Sequence, residues 1–208
     1  MSPIFFKSIC IWAFISCVGI KVGFAQEESK NPLVINVGIY APFSNDQAFI
    51  GRNILGAMEL ARDRLSDNRA QYFFYTLDVL PPGEPGVTST LQKFIETHHL
   101  NVLVTEGDPN GLMAAPLAKT NNMIHLSMAS DPRIADKANN VLARSFEFSS
   151  EIGTGSTSKQ KNIEQVSAVA TDVFTLLNKS ILASSKDEQG LSVASIAQNI
   201  HSLSIAMG

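Results

Sequence analysis

Glu106, Gly107, Asp108, Pro109 and Asn110 follow one short apolar run, and Ser127, Ala129, Ser130 and Asp131 stand at the end of the next. Small hydroxyl and carboxyl side chains in such places suit the reversible holding of a small polar molecule. Backbone N–H groups at a helix start would supply further donors. Asp108 before Pro109 also reads as a helix N-cap followed by proline at the first helical position. Glu106 and Asp108 together oppose the partial positive charge of that helix start, which would otherwise draw an anion. A free carboxylate is therefore expected to bind poorly here and a neutral or cationic group better; the plainer alternative is that Asp108 only caps its helix.

Covalent and metal chemistry find little to work with. The sequence has no His-Glu-x-x-His, no Gly-x-Ser-x-Gly and no recognisable pair of catalytic carboxylates. Ser127, Ser130 and Asp131 are the candidates for nucleophile or acid, and no positioned base stands beside them. No catalytic residue, metal ligand or cofactor is assigned. His98 and His99 end a helix, where positive character suits the dipole; His125 alternates into a strand as a core residue, and His201 lies on a late helix. Both cysteines, Cys10 and Cys17, sit in the N-terminal segment, so the remainder has no thiolate for a disulfide or a zinc site. The run from Gly153 to Lys159 has the texture of a phosphate-binding loop, but no strand precedes it and the Gly-Lys-Ser/Thr ending is missing, which leaves a linker.

Four apolar runs must position these residues. Leu33-Val34-Ile35-Asn36-Val37-Gly38-Ile39-Tyr40 is rich in β-branched residues and reads as a strand covered on both faces. Its end, Ala41-Pro42-Phe43-Ser44-Asn45-Asp46, is a loop. A helix is expected over 48–66, with Ile50, Ile54, Met58, Ala61 and Leu65 forming its apolar stripe. Residues 72–79 read as a second strand, Pro81-Pro82-Gly83-Glu84-Pro85-Gly86 as a loop, and Thr88 or Ser89 as the cap of a helix carrying Leu91, Phe94 and Ile95. Residues 100–104 and 123–127 supply the third and fourth strands, with a helix between them. Strands alternating with single helices imply an α/β, doubly wound parallel sheet, with ligands at the carboxyl ends of the strands. Residues 149–162 read as a linker. Beyond them, the stripe of Ile163, Val166, Val169, Val173, Leu176 and Leu177 predicts one helix, and that of Val193, Ile196, Ile200 and Leu203 another.

Residues 1–25 have the layout of a secretory signal peptide: Lys7, an apolar run over 9–20, and small residues at Gly23 and Ala25 before Gln26. Two other readings of this segment are an uncleaved anchor and a lipid attachment at Cys17. The net charge is −3, and loss of residues 1–25 would remove Lys7 and Lys21 but no acid. An exported or periplasmic domain this acidic lacks the electrostatic footprint of a nucleic-acid binder.

The order of motifs resembles type I periplasmic solute-binding proteins, the leucine/isoleucine/valine-binding group of amino-acid transporters of the ABC type. Val37-Gly38-Ile39-Tyr40-Ala41-Pro42-Phe43 is similar to their opening strand and cleft loop, and Gly51-Arg52-Asn53-Ile54-Leu55-Gly56-Ala57-Met58 to the helix after it. Thr90-Leu91-Gln92-Lys93-Phe94-Ile95 resembles the second helix. Val102-Leu103-Val104, Ala114-Ala115-Pro116-Leu117-Ala118 and Ile124-His125-Leu126-Ser127-Met128-Ala129-Ser130-Asp131-Pro132 resemble the next strand, helix and strand. Ala170-Thr171-Asp172-Val173-Phe174-Thr175-Leu176-Leu177 is similar to the late helix that returns to the first lobe in this family.

The resemblance implies one lobe over 31–145, a linker over 149–162 where the second lobe would stand, and C-terminal helices over 163–208 that return to the lobe. The alternative is a tail of unrelated amphipathic helices. It also implies a ligand site formed by Tyr40, Phe43, Ser44, Asp108, Asn110, Ser127, Ala129, Ser130 and Asp131. In the family, hydroxyl side chains and backbone N–H groups of the second and third loops hold an amino-acid carboxylate. Here Asp108, Pro109 and Asn110 replace the hydroxyl residue of the second loop. The implied partners are a small polar solute and an ABC-type permease or another exported protein, with self-association through an exposed cleft face that includes Tyr40, Phe43 and Met128. One lobe alone supplies half the contacts, so weak solute binding is one expectation. A secreted interaction module that has lost solute binding, an enzyme using the loop hydroxyls, and a decayed remnant that makes no stable protein are the others.

Overall fold

The computed structural model describes residues 32–65, 69–81, 84–135, 140–144, 156–185 and 192–206. The expected signal peptide, the Pro82-Gly83 pair and linker positions 149–155 lie outside the described residues. Five parallel strands form one sheet: β1 (Leu33–Ala41), β2 (Ala70–Asp78), β3 (Val102–Glu106), β4 (Ile124–Ala129) and β5 (Asn140–Arg144), in the order β2-β1-β3-β4-β5. Helices α1 (Ala48–Asp63), α2 (Val87–Thr97) and α3 (Asp108–Thr120) fill the first crossovers, and α4 (Ser156–Ser184) and α5 (Val193–Ala206) follow the sheet. The chain steps outward from β1 to β2 and then turns back to β3. This makes the carboxyl ends of β1 and β3 the switch point, where doubly wound sheets open a crevice.

Alternation along the strands divides the core in two. Ile35, Val37, Ile39, Val102, Val104, Ile124 and Leu126 face α1, α4 and α5, meeting Ile54, Met58, Val166, Ala170, Phe174, Leu177 and Ile200. Tyr40 and Leu103 face α2 and α3 with Leu91, Phe94, Ala114 and Ala118. Burial on both sides is why β1, β3 and β4 read as unbroken apolar runs. The tail is fastened to the second strand. Phe174 lies edge-on to Tyr72, with ring centroids 4.9 Å apart, and the Tyr72 hydroxyl donates to Asn178 Oδ1 at 2.7 Å.

Several expectations need correction. The sheet has a fifth strand where four were expected. The helix expected from Ile163 begins at Ser156, inside the stretch read as linker. Gly86 (φ 90°) holds the N-cap position of α2 in place of Thr88 or Ser89, and Ser89 Oγ donates to the Gly86 carbonyl at 2.8 Å. Gly107 (φ 81°) takes the same position in α3, so Asp108 is the first helical residue and not its cap. Tyr40 and Met128 do not join Phe43 in an exposed cleft floor: Tyr40 is 1 % exposed and Met128 5 %, because both lie in the sheet beneath packed helices.

α3 lies so close to β4 that a side chain at Gly111 has no room. A Cβ there would stand 2.4 Å from Ser127 Oγ and 2.6 Å from Ile134 Cδ1. Gly111→Ala is expected to cost about 1–3 kcal/mol by overpacking. Gly56, on the same kind of element but with nothing within 4 Å of its Cβ position, should gain about 0.5–1 kcal/mol on change to Ala through helix propensity. Urea melts of the two variants should therefore shift in opposite directions; equal shifts would contradict this packing.

Candidate functional site

Three loops meet at the carboxyl edge of the sheet. The first leaves β1 through Pro42 and Phe43 into a single 3₁₀ turn (Asn45–Gln47) before α1. Its anchor is Asp78, the last residue of β2, whose Oδ1 accepts the Phe43 N–H at 2.7 Å. Desolvation pushes the Asp78 carboxyl up. Hydrogen bonds from the Ser44 side chain and from the Phe43, Ser44 and Val79 amides outweigh it and hold the group below the usual carboxylate range. Ser44 is exposed at this loop and Phe43 half-buried against the core.

The second and third loops are joined by Asp108. Its Oδ1 accepts the N–H of Ser130 at 2.6 Å and that of Asp131 at 3.0 Å, and its Oδ2 accepts the Ser130 hydroxyl at 2.9 Å. The Ser130 amide is the main reason why the Asp108 carboxyl is held below its ordinary pKa. Partial desolvation opposes it, and the Asp131 amide and Ser130 hydroxyl reinforce it. Asp131 in turn accepts the Arg133 N–H at 2.9 Å as the cap of a 3₁₀ turn (Pro132–Ile134) and pairs with the Arg133 guanidinium. That guanidinium holds the Asp131 carboxyl low. Asn110 Nδ2 donates back to the Glu106 carbonyl at 2.7 Å, tying the start of α3 to the end of β3.

Glu106 ends β3, beside the switch point. Burial raises its carboxyl pKa from 4.5 to about 7, with the neighbouring negative charge of Asp108 adding to the effect. It can thus hold a proton near neutral pH and act as a donor, or shed it and meet a cation.

The structure brings Asp108, Asn110, Ser130 and Asp131 together and leaves Phe43 and Ser44 on the adjoining loop. Three expected site residues lie elsewhere. Ser127 is fully buried under α3, where its Oγ accepts from Thr105 Oγ1 at 3.0 Å while Thr105 Oγ1 lies 2.9 Å from His125 Nε2. Ala129 is 1 % exposed as the last residue of β4, and Tyr40 points into the α2–α3 face. Burial raises the Tyr40 hydroxyl pKa; the Leu80 amide opposes this and the Asp78 charge adds to it. Asp78 and Arg133 are site residues that sequence reasoning missed. Asp78 bonds to a residue 35 positions away, which no local pattern signals. Among the described residues, no three His, Cys, Asp or Glu side chains gather to hold a metal ion.

No protein-family profile and no curated protein sequence matches the chain. Solved structures do. A solute-binding protein of an ABC transporter from Rhodopseudomonas palustris HaA2, in complex with p-hydroxybenzoic acid, is 19 % identical over 68 % of this chain, with a TM-score of 0.47. The branched-chain amino acid transporter substrate-binding protein from Streptococcus pneumoniae, in complex with isoleucine, is 16 % identical over 49 %, with a TM-score of 0.41. A possible leucine/isoleucine/valine-binding protein from Rhodopirellula baltica SH 1 is 21 % identical over 45 %, with a TM-score of 0.37. The match spans 44 %, 30 % and 27 % of those three chains respectively.

Proposed function

We propose that this chain is an exported, non-enzymatic lobe of the type I solute-binding kind, whose solute is a small polar molecule that is neutral or cationic. The observation that carries this reading is the Asp108 carboxylate on the Ser130 and Asp131 amides and the Ser130 hydroxyl. Those three donors are what a ligand carboxylate would need, and a fixed anion already engages them. A second carboxylate arriving there would meet repulsion from Asp108, with the Ser130 and Asp131 donors already taken. An amine or an amide would instead find acceptors. The lobe supplies one wall of a cleft, so binding is weak and no reacting group is enclosed.

Thermal melts of the purified chain with free amino acids, their amides and simple amines test this. A tenfold excess over Kd stabilises by about 1.4 kcal/mol, so amides or amines should raise the melt while the free acids leave it unmoved. Asp108→Ala should melt several degrees lower and regain part of the loss in acetate, which fills the vacated donors; the native chain should ignore acetate. Free amino acids that stabilise the native chain as well as their amides do would overturn the assignment. If no compound moves the melt, a protein-interaction module is the better reading.

A further inference from the structure

Asn110-Gly111 is the one Asn-Gly pair in the chain, and it stands inside the loop cluster. Asparagine before glycine is the most readily deamidated pair. Glycine has no Cβ to shield its own nitrogen or to restrict the bend that carries this nitrogen to the asparagine side chain. The Gly111 nitrogen gives up its proton and bonds to Asn110 Cγ, the Cγ–Nδ2 bond breaks, and ammonia leaves with that proton. Water then opens the five-membered ring, on one side to aspartate and on the other to isoaspartate, whose backbone runs through the former side chain. Water enters and ammonia leaves, so the step needs no oxidant and no other reactant.

The native geometry holds both reacting groups back. The Gly111 N–H donates to the Gly107 carbonyl at 3.0 Å, and Asn110 Nδ2 donates to the Glu106 carbonyl at 2.7 Å. Gly111 is buried, with Ser127 Oγ and Ile134 against the place a Cβ would take, so its peptide plane cannot swing while α3 lies on β4. Ring closure therefore needs the first turn of α3 to open. Asp108 fastens that turn to the third loop, through the Ser130 and Asp131 amides and the Ser130 hydroxyl. We propose that Asn110 is a modification site whose deamidation is gated by this Asp108 latch. The product has an acceptor where Nδ2 donated, so the bond to the Glu106 carbonyl cannot re-form, and a further carboxylate joins Glu106 and Asp108. The gate acts through α3 alone, with or without a solute.

Mass spectrometry of the α3 peptide from the full chain, with isoaspartate scored by enzymatic methylation, follows the reaction in mildly alkaline buffer. The rate tracks the population of the open turn, so the native chain should deamidate at Asn110 at least about tenfold more slowly than the urea-unfolded chain. Asp108→Ala should raise the native rate several-fold, and Ser130→Ala, which removes only the hydroxyl bond, should raise it less. Phe174→Leu loosens the opposite face of the sheet with the latch intact, and should keep the native rate. A native rate equal to the unfolded one overturns the proposal, as does a urea-unfolded chain that yields no product at Asn110. A rate raised as much by Phe174→Leu as by Asp108→Ala would place the gate in global unfolding and refute the latch.

Discussion

Phe174→Ala should bring the chain close to unfolding. The ring is 1 % exposed and meets Tyr72 and Phe74 at centroid distances of 4.9 and 5.8 Å. Truncating a buried phenylalanine costs about 3–5 kcal/mol, once the lost transfer energy and the cavity left behind are both counted. Total stabilities of single domains are about 5–15 kcal/mol, so this is a large share. The loss should appear as one cooperative transition moved to lower denaturant, because α4 belongs to the same core as β1, β3 and α1. Phe174→Leu should recover most of it. If Phe174→Ala left the melt of the sheet unmoved, α4 would be an independent amphipathic appendage and not part of the lobe.

Glu106 should make stability depend on pH across a range where surface carboxylates are silent. Its folded-state pKa, about 7, lies above the ordinary 4.5, so the native chain keeps a proton that the unfolded chain has shed. The stabilisation is complete below about pH 4.5 and is lost as pH rises through 7. At 1.36 kcal/mol per pKa unit, the whole effect is of order 3 kcal/mol. Asp78, Asp108 and Asp131 act with the opposite sign and in another window: their lowered pKa values give stability that is present above the ordinary carboxylate range and lost in stronger acid. Glu106→Gln should therefore flatten the profile between pH 4.5 and 7, melt higher than the native chain at pH 8, and leave the acid limb in place. Parallel profiles for the native chain and the Glu106→Gln variant would mean that Glu106 is well hydrated, and would sink this account of the site.

Periodicity carried most of the architecture. The strands and helices up to Ala129 are where their apolar repeats put them, within a few residues, because each is covered on at least one face by the core. β5 escaped because Asn140-Val141-Leu142-Ala143-Arg144 is too short and too mixed to stand out; what defines it is its pairing with β4. The first turns of α4 escaped because their Ser, Thr, Lys and Gln residues resemble a linker, and the helix is continued from an apolar stripe that starts later. The loop cluster was legible as a place but not as a set of contacts. Ser127 was expected at the rim because the strand was taken to end there; β4 continues to Ala129, and alternation then turns Ser127 toward α3. Asp108 was expected to bond its own helix, yet its partners are 22 and 23 residues away, beyond the reach of any capping pattern.

The bond between Tyr72 and Asn178, 106 positions apart, bears on the order of events during synthesis. The face of the sheet opposite α2 and α3 is shielded by α1 together with α4 and α5. At about 5–20 residues per second, roughly 5–20 s pass between the emergence of β2 and that of the helix that covers its aromatic side. Throughout that interval Tyr72 and Phe74 lack the Phe174 ring, and the nascent chain is open to capture by chaperones or by its neighbours. A ribosome stalled before Asn178 would hold the aromatic side of β2 without its α4 cover.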